Sequence, residues 1–158
     1  RDRAYSELSK YVQFPGKNHM LAAEHVLSYL RGTWNQTICY SRDSHDNPNV
    51  LWGWVGADWA GDTDTRRSHT GYILMMNGGP ISWKSRRQDN VSLSTSEAEF
   101  VAASQAGQET IYLRETLTDF GFSQTKATLI YEDNLACIAM SENPVRRKFS
   151  RHIAVLCH

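Results

Sequence analysis

Ser94-Thr95-Ser96-Glu97-Ala98-Glu99-Phe100 opens the longest helical pattern in the chain, and Tyr131-Glu132-Asp133-Asn134 follows some thirty residues later. Ser94 or Ser96 suits a helix N-cap, and Glu97 and Glu99 suit the positive end that follows it. The pattern runs to about Thr118. Gly107 interrupts it without a proline, so a kink or weak spot is expected there. Ala127 to Tyr131 predicts a short strand, and Asp133 to Ser141 a helix directly after it, closed by Pro144.

Upstream, Leu51 to Ala57, Gly71 to Met76 and Pro80 to Ser85 are short and rich in aromatic or branched residues. Asn77-Gly78-Gly79 separates the last two as a hairpin turn does, so three antiparallel strands are expected. Trp52 or Trp54, whichever points inward, is expected in the core. The order is then three strands, a helix, a strand and a helix, a mixed sheet flanked by helices. From Asn18 to Arg31, Met20, Ala23, Leu27 and Leu30 recur at helical steps before Gly32 and a turn-rich segment from Ser41 to Asn49. Residues 1–33 are therefore expected to be a helical appendage to a main domain spanning 34–158.

The 158 residues, 41% of them hydrophobic, suit one globular domain. No apolar run approaches the ~20 residues that cross a bilayer, and no signal-peptide h-region follows Arg1-Asp2-Arg3-Ala4, so an intracellular location is expected. Three cysteines without a CxxC pair indicate neither a disulfide framework nor a zinc finger, and His152, Cys157 and His158 lack paired zinc-ligand spacing. The net charge is zero, but basic residues cluster at Arg66-Arg67, Lys84 to Arg87, and Arg146 to Arg151. Arg66, Arg67, Lys84, Arg86 and Arg87 suit phosphate contact, with Trp83 beside them, or else form a solvated hairpin face with Trp83 in the core.

Phosphodiester hydrolysis with two cations ~4 Å apart needs several carboxylates converging from strand ends and a neighbouring helix. Glu99 on the long helix and Asp133 at the end of the fourth strand suit that, with Asp58 past the first strand a third candidate. Each also has an ordinary explanation: Glu99 as an acid at a helix terminus, Asp133 as an N-cap.

In chain order come Asp58-Trp59-Ala60-Gly61-Asp62, Arg66-Arg67-Ser68, Gly71-Tyr72, Ile81-Ser82-Trp83-Lys84-Ser85, and the two stretches quoted first. This set resembles the ribonuclease H domain of copia-type retrotransposon Pol polyproteins from about Leu51 onward. His19 to Thr33 resembles the segment joining it to the reverse transcriptase. The resemblance implies an α/β fold with a ribonuclease H-like mixed β-sheet of five strands flanked by α-helices. It also implies cleavage of the RNA strand of RNA–DNA hybrids with magnesium or manganese, in a polyprotein that includes the reverse transcriptase.

Of the four acids that family uses, the helix acid falls on Glu99 and the strand-end acid on Asp133, which are thereby the expected metal ligands. The first-strand acid falls on Gly56 and the last on Ala154, so two of four are lost. By the resemblance, the family histidine near the last acid, which positions nucleic acid or assists product release, falls on His152, with a solvated basic tail from Arg146 to His152 as the alternative, and the end of the domain is expected to be shorter than in the family. The resemblance therefore implies impaired catalysis, with a non-catalytic module of the same fold as the alternative. Asp58 could replace the acid at 56 only with rearrangement, since residues two apart on a strand lie nearly 7 Å apart.

Overall fold

The computed structural model describes residues 2–41, 48–62 and 64–142. Contacts divide the chain into two compact units, Arg1–Cys39 and Tyr40–His158. In the first, α1 (Asp2–Ser9) is followed by α2 (Lys17–Gly32). Tyr11 stacks on His19 at 3.8 Å, and His19 Nδ1 accepts the Gly16 N–H at the start of α2. None of the α2 side chains is buried, so its stripe of Met20, Leu27 and Leu30 remains exposed. The Asp2–Ser9 helix lies within the residues expected to be a helical appendage, although only Asn18 to Arg31 carried a helical pattern in the sequence.

The second unit contains β1 (Trp52–Asp58), β2 (His69–Met76), β3 (Gly79–Arg87), α3 (Thr95–Asp119), β4 (Leu129–Tyr131) and α4 (Leu135–Glu142). The strands form a mixed sheet in the order β3-β2-β1-β4, antiparallel except where β4 runs parallel to β1. Element order and sheet are those of a ribonuclease H-like fold. Four strands are found among the described residues, where five were implied. Asn77 and Gly78 both take positive φ, 52° and 82°, the left-handed pair that a two-residue hairpin turn requires.

Each long element forms for a local reason. Ser94 Oγ accepts the Glu97 N–H, capping α3, and Glu97 in turn accepts the Leu93 N–H. The helix then continues through Gly107, where a β-carbon would meet only open space. Ala98, Ala102 and Ala106 recur every fourth residue on its buried face, and so small a surface lets α3 lie close on the sheet. Ala102, Ala106 and Leu117 of α3 pack with Leu51, Val55, Tyr72 and Leu74 to make the core. Gly53 belongs to that close fit: a β-carbon there would run into the Ile73 carbonyl. Gln88 ties the layers together, donating to Thr70 Oγ1 and the Ala98 carbonyl while accepting from Ser92.

One expectation about the core is corrected. Leu51, just before β1, and Gly53 and Val55 within it point inward, which leaves Trp52 and Trp54 together on the opposite face. Their rings pack edge to face at 4.4 Å, and Trp54 lies 6.1 Å from the Tyr131 ring across the parallel pairing. Among the described residues no helix is long and apolar enough to cross a membrane.

Candidate metal centre

β4 runs parallel to β1 and ends where Tyr131 pairs with Trp54, two residues short of Gly56. The chain leaving β4 therefore runs past Gly56. α3 crosses the same end of the sheet near its own N-terminus, and this brings Glu99 in from the helix. A cleft of about 320 Å³ results, lined by Trp54 to Ala57, Glu99, and Tyr131 to Asp133.

Glu99 is 5% exposed. It stands beyond the capped first turn of α3, where Ser94 and Glu97 already serve the helix end, so a helix-terminus role does not account for it. Asp133 is not the cap of α4 either. Asn134 is: its Oδ1 accepts the Cys137 N–H at 2.9 Å, and this leaves the exposed Asp133 carboxylate outside the cap.

Glu132 is the residue whose role sequence reasoning missed. Glu99, Glu132 and Asp133 each offer one carboxylate oxygen, and the three oxygens lie within 4.8 Å of one another. Alternation along a strand puts neighbours on opposite faces, which argues against two adjacent acids serving one site. Because β4 ends at Tyr131, that alternation stops before Glu132, and both acids turn toward Glu99.

The electrostatics are those of crowded, partly desolvated acids. Burial, then the nearby Glu132 charge, pushes the Glu99 carboxyl up to about 7; the Ala57 N–H opposes the rise and Asp133 adds to it. Burial also raises Glu132, against the Asn134 N–H that its Oε1 accepts at 2.9 Å. Oε2 of Glu99 and Oε2 of Glu132 are both buried without a hydrogen-bond partner. A buried, unpaired carboxylate oxygen is costly, and a cation relieves that cost directly.

Gly56 leaves a gap in this arrangement. A β-carbon built on it would face Glu99 Oε2 at 3.9 Å. Asp58 does not fill the gap: its carboxylate packs against Gly61 in the following turn and is not part of the cleft wall. Ala154, His152 and the basic cluster from Arg146 to Arg151 lie outside the described residues, as does Pro144.

The basic residues fall into two kinds. Arg87 donates to the fully buried Asp62 carboxylate at 2.6 Å, and Asp62 also accepts the N–H groups of Asp64 and Thr65. Arg87 thus secures the loop after β1. Arg66 and Arg86 are exposed, and Arg67 and Lys84 are partly so. Lys84, Arg86 and Arg87 line a groove of about 660 Å³ between the end of β3 and α3, with Trp83, 53% exposed, outside the core.

Over 155 residues the chain is 39% identical to the retrovirus-related Pol polyprotein from transposon TNT 1-94 of Nicotiana tabacum, covering 98% of this chain and 11% of that protein. It is 34% identical over 155 residues to the Pol polyprotein from transposon RE1 of Arabidopsis thaliana, covering 98% and 10%. It is also 39% identical over 110 residues to the secreted RxLR effector protein 161 of Plasmopara viticola, covering 70% and 75%. No family model and no solved structure matches the chain. The chain spans about a tenth of the length of these Pol polyproteins. It belongs to the sequence family these relatives share, and it corresponds to one region of a retrotransposon's retrovirus-related Pol polyprotein.

Proposed function

We propose that the chain is a ribonuclease H domain of a copia-type Pol polyprotein, preceded in residues 1–33 by the end of the connection to the reverse transcriptase. Its ancestral reaction is cleavage of the RNA strand of RNA–DNA hybrids, and its own cleavage is impaired. The gap at Gly56 is the observation that supports this most: the acids of a phosphodiesterase site converge around a position that has lost its side chain. The family acid at Ala154 is also missing from the sequence.

Glu99, Glu132 and Asp133 suit a magnesium or manganese ion, since hard cations take carboxylate oxygens and two of these oxygens are buried without partners. When bound, such an ion lowers the pKa of the attacking water and neutralises charge on the phosphate. Arg66, Arg67, Lys84 and Arg86 supply phosphate contacts that position a hybrid without reading its sequence. Losing one group that stabilises charge in the transition state typically costs about 10²–10³ in rate. The natural partners are the hybrid and the reverse transcriptase part of the same polyprotein, in an intracellular setting. The exposed apolar stripe of α2 suits a segment continuous with a larger protein.

The test is magnesium-dependent cleavage of a labelled hybrid by the chain and by Glu99→Gln. Slow cleavage by the chain that Glu99→Gln abolishes supports the catalytic reading. A rate equal to that of Glu99→Gln removes it and leaves the second reading, a non-catalytic hybrid-binding module, which the same loss at Gly56 favours.

A further inference from the structure

We infer that Glu132 supplies the third carboxylate of a site for a single divalent cation, with Glu99 and Asp133, in a cleft that no longer holds two. This rests on the metal-site part of the function proposed above and adds the number of ions and a ligand outside the four family positions.

The geometry supports one ion. Octahedral magnesium spans about 4.2 Å between opposite oxygens. At most one pair of the three can sit opposite and the others are adjacent at about 3 Å, so oxygens that already lie within 4.8 Å of one another close on one ion by drawing in up to about 2 Å, a movement of side-chain rotation. The cluster does not stand on its acidity alone, because Glu99 Oε2 is buried and unpartnered on the cleft wall, where a bound cation is the group that satisfies it. Glu132 is anchored so that it can do the same, with Oε1 held by the Asn134 N–H and Oε2 left buried without a partner.

Two ions are a different matter. Cations ~4 Å apart repel strongly and need a carboxylate bridging them, with further acids on either side. The position facing Glu99 from β1 is Gly56, which offers no carboxylate to bridge two ions, and Asp58 packs against Gly61 instead. Three monodentate carboxylates around one ion also leave open positions for water or a phosphate oxygen, so the site suits a cation that still contacts nucleic acid.

The experiment is titration of the full chain with Mn²⁺ alone, without nucleic acid, following free Mn²⁺ by its electron paramagnetic resonance signal. The expected result is one Mn²⁺ per chain, with affinity reduced in Glu132→Gln by at least the about 10-fold that loss of even an outer-shell partner costs. Glu115→Gln, an exposed change 16 residues further along α3, is expected to leave binding unaltered. Melting in chelator checks folding: Glu132→Gln removes a like charge from a crowded cluster, so it is expected to melt no lower than the parent. Two equivalents of Mn²⁺, no binding at millimolar Mn²⁺, or binding indifferent to Glu132→Gln overturns the inference. A chain that binds one ion through Glu132 without cleaving hybrid upholds it and removes only the catalytic reading.

Discussion

A β-carbon added at Gly56 falls 3.9 Å from Oε2 of Glu99, an ordinary van der Waals distance, and meets no closer neighbour among the described residues outside its adjacent chain. The strand therefore has room for a side chain where the proposed ribonuclease H reading expects an acid, and that side chain would enter a group of three carboxylates. Gly56→Asp is expected to fold. In chelator it adds a like charge and costs about 1–2 kcal/mol. In millimolar Mn²⁺ the sign reverses, and its melting temperature rises by more than the parent's does. Thermal melts with and without Mn²⁺ check this; a Mn²⁺ response no larger than the parent's contradicts the placement.

Glu99 gives the fold a pH dependence of definite sign. Its folded pKa of about 7 stands above the ordinary 4.5, so the folded state holds a proton that the unfolded chain gives up. Without metal the resulting stability is fully present below about pH 4.5 and is lost as pH rises toward 7, by at most about 3 kcal/mol. Denaturant melts in chelator from pH 4.5 to 8 measure it. Glu99→Gln is expected to flatten this part of the profile.

The arginines separate by what they hold. Arg87→Ala leaves the buried Asp62 carboxylate without its guanidinium and is expected to cost about 3–5 kcal/mol of stability. Arg66→Ala is expected to leave the melting temperature unchanged, while weakening hybrid binding and lowering the salt slope by about 1. Binding isotherms at several salt concentrations, set beside thermal melts, distinguish the two.

Which parts of the molecule were legible in the sequence follows from how local each cause is. The hairpin at Asn77-Gly78, the cap at Ser94 and the strand–helix order depend on neighbouring residues, and each was readable from a few positions. The facing of β1 was not: Trp52 and Trp54 look like core, but Leu51 and Val55 are what α3 covers. Glu99 and Asp133 were identifiable as site candidates through the family pattern, and their meeting depends on the parallel pairing of β1 with β4. Glu132 escaped because its orientation depends on where a three-residue strand stops, a boundary set by tertiary packing rather than by propensity.

On the proposed ribonuclease H reading, the missing acids at 56 and 154 are what impair cleavage, and the most direct measurement is hybrid cleavage in Mg²⁺ by the parent chain and by the double variant Gly56→Asp with Ala154→Asp. Restoring both acids is expected to raise the rate by about 10² or more. Addition of Glu99→Gln to that variant is expected to abolish the gain. A parent chain that already cleaves as fast as the restored variant contradicts the account.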